Sequence, residues 1–412
     1  MRQSNFEKTA IKRSSRQVMK KETQRLRVNY LDNLRAYIML LGVVIHVAML
    51  QMVSETPQKL RESGLSEWAD MLVFGIHSFR MPLFFILSGF FLAAILKRKG
   101  LKATLKSRLL RIGGPLLIFS PLMSFLLAFI ILEYLQVMQV NGVYVDPEWL
   151  AKAQEYQFNF AHLWFLYYLL LCHIIILPFV YKLTSSKVHL LKKLRYWVGH
   201  PSMVFFYTLL IAYLDSFYDK GMIPAEGHLT PNFLQLFHYL PYFAFGFFIF
   251  KYRCIWLKHY QRCWGRYTLL GCCMMFATLV AIEPFLNDAG EQFDNFIVAY
   301  CYGLWGWCWS FALCGFFKQW INGYQPWLRY LSDSAYWVYI IHLPIILLIS
   351  HAIYDYTWHF YIKMLVNIAI TSIVSVISYQ LLVRYTWLGQ LFNGKRMTPK
   401  WRRVTTKKYE QI

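Results

Sequence analysis

Residues 30–53 read YLDNLRAYIMLLGVVIHVAMLQMV. At about 1.5 Å of rise per residue this stretch is long enough to cross a bilayer as a helix, yet it carries Asp32, Arg35 and His46. Helical geometry places Arg35 and His46 roughly 16 Å apart along the axis and only about 20° apart around it. One face of one helix therefore presents a guanidinium near its start and an imidazole two-thirds of the way across. Ionisable groups inside a span are expensive and face a cavity or a partner. A packed histidine and a snorkelling arginine are the plain alternative for either residue alone. The pair on one stripe favours function.

The rest of the chain repeats the apolar theme. It has 412 residues, 57% of them hydrophobic and 19% aromatic, with roughly ten runs long enough to span a membrane. These fall near 30–53, 71–96, 112–134, 160–181, 202–218, 233–250, 267–285, 296–317, 334–354 and 361–386. The fold class is therefore all-α, a polytopic membrane protein of about ten helices. The formal charge of +22 is spread over loops of alternating sign instead of one groove-binding patch, which argues for membrane topology and against nucleic acid as a partner. The eight cysteines fall in no segment expected outside, so no disulfide framework is expected.

Charge fixes the expected orientation. Residues 97–111 carry seven Lys/Arg and no acid, 182–195 and 251–266 five each and no acid, and the end of the chain from Arg384 carries eight. The alternate segments invert this: 54–70 holds four acids, 135–159 three, 215–226 three and 283–294 four. Ten spans with both termini cytoplasmic satisfy the positive-inside rule at every loop. The simplest division is a basic tail at 1–29, one membrane domain at 30–386, and a second basic tail at 387–412. In this topology His77 and His46 lie about 10 Å of helix from their outer ends. Arg80 is the deepest charge, costing about 2.5–3.5 kcal/mol if unpaired.

Several residues offer chemistry. His46 suits a general base near neutral pH. Arg108 and Arg111, spaced RLLR at one helical face, join Arg35 as a clamp for phosphates; plain topology charge is their alternative. His342 lies inside a span in YWVYIIHLP, where Pro344 frees backbone carbonyls for a nearby polar group. His162, in AHLWFL, and His238, in FHYLPY, read individually as interfacial anchors. No GxSxG, HExxH or phosphate-loop motif is present, so neither a serine nucleophile nor a metal has sequence support.

These motifs resemble the acyltransferase-3 family of membrane acyltransferases. The interval from Arg35 to His46 is similar to that family's Arg–ten residues–His motif, RLLR to its second arginine pair, and PLFFILSGFF to its second-span signature. The strings YLDNLRAYIMLLGVVIH, IHSFRMPLFFILSGFF, HLWFL, YLPYFAFG and YIIHLP resemble, in order, the members that succinylate periplasmic glucan. The resemblance implies a bacterial inner membrane, a cytoplasmic acyl-CoA donor (succinyl-CoA or acetyl-CoA), a carbohydrate acceptor outside, and His46 as the catalytic residue. Arg35, Arg108 and Arg111 are then expected to hold the CoA phosphates. Asp32 would orient Arg35, and Arg80 and His77 would steady the developing oxyanion or contact the acyl group. The rival reading is a transporter or flippase of glycan or acyl groups, though no repeat symmetry supports it. Lipid is the remaining partner, and the oligomeric state is left open.

Overall fold

In the computed structural model, residues 29–54, 60–62, 64–185, 196–225, 227–286, 291–394 and 397 are described. Among them there is no strand, as a lipid-facing backbone that must satisfy its own hydrogen bonds requires. Ten helices occupy the apolar runs: α1 Asn29–Met49, α2 Glu67–Lys99, α3 Gly114–Val140, α4 Trp164–Ser185, α5 Met203–Asp215, α6 Phe233–Ile249, α7 Arg253–Leu286, α8 Gln292–Trp320, α9 Pro326–Ile353 and α10 Phe360–Ser378. Eight helical runs among the described residues are long and apolar enough to cross a membrane, and one of these contains both α6 and α7. A 3-10 turn at Phe250–Tyr252 joins that pair. Helix α5 is the exception: its 13 residues span only about 20 Å, less than the roughly 30 Å of hydrocarbon.

Side-chain pairs fix the relative direction of neighbours. Asp32 meets Arg329, Arg35 meets Ser332 and His46 meets His342, so α1 and α9 run parallel. Phe74 packs on Tyr302 and Phe79 on Trp309, making α2 and α8 parallel. Gly315 faces Tyr260 while Gly271 faces Trp309, so α7 and α8 are antiparallel. Gly42 lies against Arg80 and Arg35 over Phe91, which sets α1 against α2. All of these relations fit ten helices alternating in direction, with the Arg35 end as one pole of the bundle and the His46 end as the other.

Proline and glycine bring the backbones of the core close. Pro82 has no N–H for the carbonyl of Ser78, and Gly306 of α8 packs there, where a Cβ would stand 2.4 Å from that oxygen. Gly89 and Gly246 make the α2–α6 crossing: a Cβ on either would stand 2.1 Å or less from the carbonyl of Phe243 or Ile86. Small residues thus permit backbone contact between helices, which in lipid is driven by packing.

Each pole is closed by short segments. At the His46 pole Glu62 and Lys363, both buried, pair at 3.5 Å, and Lys363 also donates to the Tyr354 carbonyl at 2.8 Å. Burial raises the Glu62 carboxyl pKa, outweighing hydrogen bonding to Ser350 and the attraction of Lys363. At the other pole, residues 387–393, read from the sequence as the start of the second tail, form a helix against the bundle. Phe392 packs there on Phe119 and Trp337, and Asn393 donates to the Asp333 carbonyl at 3.0 Å. The tail at 1–28 and most of the chain beyond 394 lie outside the described residues.

Candidate active site

His46, His342 and His162 come together from three helices or their ends. The ring centroids of His46 and His342 are 5.1 Å apart, and those of His342 and His162 are 5.2 Å apart. The local sequence explains how. Pro344 cannot donate to the carbonyl of Ile340 four residues earlier, and His162 Nε2 meets that freed oxygen at 2.9 Å. His342 Nδ1 sits 2.7 Å from the Tyr339 carbonyl, and the Tyr339 hydroxyl donates to the His162 carbonyl. Carbonyls only accept, so each ring nitrogen facing one carries the hydrogen. That leaves His342 Nε2 and His162 Nδ1 as bare acceptors, both buried without a partner. His162, read from the sequence as an interfacial anchor, is thus part of the cluster. Its neighbour Ala161 holds φ 45°, a left-handed conformation that costs a residue with a Cβ about 1–2 kcal/mol.

Arg80 faces the same cluster. A Cβ on Gly42 would stand 2.5 Å from Arg80 Nη1, and Gly42 lies one turn before His46 on α1. The guanidinium therefore occupies the helix face that His46 shares. Arg80 is 7% exposed and its Nε has no partner. His342, Arg80, His162 and His77 are the ionisable neighbours of His46. The spacing reading of α1 and α2 thus brings His46, His77 and Arg80 together, and α9 adds His342.

At the opposite pole Asp32 lies 3.7 Å from Arg35 and 3.3 Å from Arg329, which in turn pairs with Asp333 at 2.7 Å. Arg35 also donates to Ser332 at 3.1 Å. Arg329, Ser332 and Asp333 escaped the sequence reading, although their PWLRYLSDS string places three polar groups on one turn at a helix start. Arg108 and Arg111 do not share an ordinary helical face. Arg108 ends a short helix, Leu101–Arg108, and a π-helical turn, Leu109–Gly113, follows, so the wider turn rotates the two side chains apart around the axis while they remain neighbouring charges. Arg111 lies over the backbone of Gly394, whose φ of 71° keeps that position free of a side chain. Arg108 turns inward, with Arg111 and Arg35 as neighbouring charges, and its Nε is buried without a partner.

Between the poles the polar groups continue. Tyr336 Oη and His173 Nε2 are also buried without partners, and both neighbour Arg108. Neighbouring polar groups form a column that leads from Arg108 to Tyr336 and His173, and from Tyr336 through the hydrogen-bonded Tyr339 to Arg80. Unpartnered buried polar atoms are rare and need an explanation. A polar arm threading the bundle from the arginines to the histidines would satisfy them.

The family pattern described as "Acyltransferase domain", that of the acyltransferase-3 family, matches residues 28–380. Glucans biosynthesis protein C of Escherichia coli O139:H28 (strain E24377A / ETEC) is 25% identical over 378 residues, covering 89% of this chain and 94% of the relative. The protein of that name from Escherichia coli (strain K12) is 25% identical over 375 residues with the same coverage. No solved structure matches the chain.

Proposed function

The chain belongs to the acyltransferase-3 family of membrane acyltransferases, and on that premise we propose that it carries an acyl group from acyl-CoA on the cytoplasmic side to a glycan hydroxyl on the other face of a bacterial inner membrane. The positive-inside rule supports the Arg35 pole as cytoplasmic. Succinyl and acetyl are the acyl groups in view, and the relatives' name supports a glucan acceptor. The transport alternative has no observation of its own here.

In this reading Arg35, Arg108 and Arg111 hold the phosphates of CoA, with Asp32 and Arg329 orienting Arg35. The pantetheine arm follows the column past Tyr336 and His173, bringing the thioester beside His46. His46 takes the proton of the glycan hydroxyl as its oxygen bonds to the thioester carbon. The carbonyl oxygen becomes an oxyanion facing Arg80, with His77 beside it. The intermediate collapses with breakage of the carbon–sulfur bond, and the proton held by His46 returns to the CoA sulfur. His342 and His162, each anchored to a carbonyl by one ring nitrogen, position the His46 ring.

The observation that supports this most is the meeting of half-buried His46 with buried His342, His162 and Arg80 in one cluster, at the far end of the stripe from Arg35. A general base contributes about 10²–10⁴-fold. His46→Asn in purified protein should lose glycan-dependent release of CoA by that factor and keep its affinity for acyl-CoA. Wild-type transfer by the Asn variant at equal expression would remove His46 from the chemistry.

A further inference from the structure

A second polar cluster lies at the His46 pole, between α5, α6 and α8, and none of the chemistry above uses it. Asp215, the last residue of α5, takes His238 Nδ1 between its two oxygens at 2.8 and 2.9 Å. Held this way, His238 turns Nε2 away from the carboxylate. One turn earlier on α6 is Gln235, 0% exposed, with neither amide heteroatom partnered. Gln235, His238 and Tyr242 follow one stripe of that helix. Across from them α8 supplies Trp307, stacked on Tyr242 at 4.5 Å. Its indole Nε1 is buried without a partner, as is Asn295 Oδ1.

Four unpartnered polar atoms around one carboxylate–imidazole pair exceed what a packed interior tolerates, because buried polar groups are nearly always hydrogen-bonded. They include donors and acceptors, and aromatic rings surround them. That combination suits a molecule with many hydroxyls and apolar ring faces, in other words a sugar. The cluster is also continuous with the active site: Tyr239 neighbours both Asp215 and Arg80, and His77 neighbours both Arg80 and His238.

The short α5 explains why this site exists. A span of ordinary length would carry apolar side chains past Asp215 to the membrane surface. Here the chain stops and crosses above the pair on its way to α6. Gly221 packs against the Asn295 carbonyl, Gly227 accepts from Phe160 N at 2.7 Å, and Leu229 accepts from the Tyr167 hydroxyl at 2.9 Å. That connection reaches from α8 to the segment that bears His162.

We propose that Asp215, Gln235 and His238, with Trp307, form the subsite that binds the acceptor sugar and presents its hydroxyl to His46. This rests on the acyl-transfer reading above and adds where the acceptor sits. Gln235→Leu is the decisive variant. If Gln235 only packs, an apolar residue of similar size is neutral or stabilising, since it removes two unmade hydrogen bonds. If it binds sugar, the KM for acceptor rises roughly tenfold for a lost hydrogen-bond pair, while acyl-CoA affinity holds. The probe is a short glucose oligosaccharide with succinyl-CoA or acetyl-CoA, read as oligosaccharide-dependent CoA release, with His238→Gln measured in parallel and thermal melting recorded for each protein. A raised KM in Gln235→Leu at unchanged or higher melting temperature supports the subsite. An unchanged KM in a folded Gln235→Leu protein overturns it. Absence of oligosaccharide-dependent release in the wild-type enzyme counts against the acceptor class itself, and so against both readings.

Discussion

Arg80 sits where a cation is most expensive, in the interior of a span, and what faces its guanidinium across the helix pair is a glycine. Any side chain at position 42 would occupy the place of Nη1. Because the crowded atom is the tip of a flexible side chain, Gly42→Ala should be tolerated by the fold and paid for in geometry. The guanidinium must swing off the face of α1 that carries His46, and misplacement of about 1 Å can cost 10²-fold in rate. The expected outcome is transfer reduced by up to about 10²-fold with melting temperature and acyl-CoA affinity near wild type; full activity would show that Arg80 acts elsewhere. His46, His77, Arg80 and His342 were legible as candidates because polar groups in apolar runs announce themselves. His162 was not, because its partner is a main-chain oxygen: only the pairing of Pro344 with the carbonyl four residues before it hinted that some donor had to arrive. The Asp215–His238 pair was hidden for a similar reason: Asp215 read as one acid of the 215–226 segment and His238, on another helix, as an interfacial anchor.

At the scale of the element, the π-helical turn at Leu109–Gly113 decides how the two arginines of RLLR are used. An α-helix would set residues three apart on one face, as the sequence spacing suggests. The wider turn instead sends Arg108 into the bundle and leaves Arg111 over Gly394 at the pole, as π-turns at functional sites often re-aim side chains. The two therefore have different work to do. Arg108→Ala should weaken acyl-CoA binding and also remove the positive charge beside Tyr336 and His173. Arg111→Ala should weaken binding with less effect on the interior. Since planar guanidinium forks bind phosphate bidentately, Lys at either position should restore only part of the affinity. Direct binding of acyl-CoA to the purified single and double variants measures this, and unchanged affinity in the double variant would reduce both residues to topology charges.

For the whole molecule, much was readable because lipid leaves the chain so few choices. Spans must be helical and apolar, loops must carry the charge, and among the described residues ten helices lie where the apolar runs were. What periodicity could not supply was which helices touch: the parallel contact of α1 with α9, nearly 300 residues apart in their Arg35–Ser332 bond, depends on packing that no local pattern encodes. Contacts fix relative direction but not which pole faces the cytoplasm, and the charges bear on that. Residues 97–111 carry seven Lys/Arg without an acid, whereas 283–294 carry four acids. Lys and Arg in short loops resist translocation, so the first group is expected inside. In a variant with its eight cysteines replaced, single cysteines introduced at Lys102 or Lys106 should escape a membrane-impermeant thiol reagent in intact cells and react after the membrane is opened. A cysteine at Glu291, exposed at the start of α8, should react in both. The reverse pattern would place the arginine pole outside, where cytoplasmic acyl-CoA cannot reach it, and the transfer direction would have to be abandoned along with the orientation.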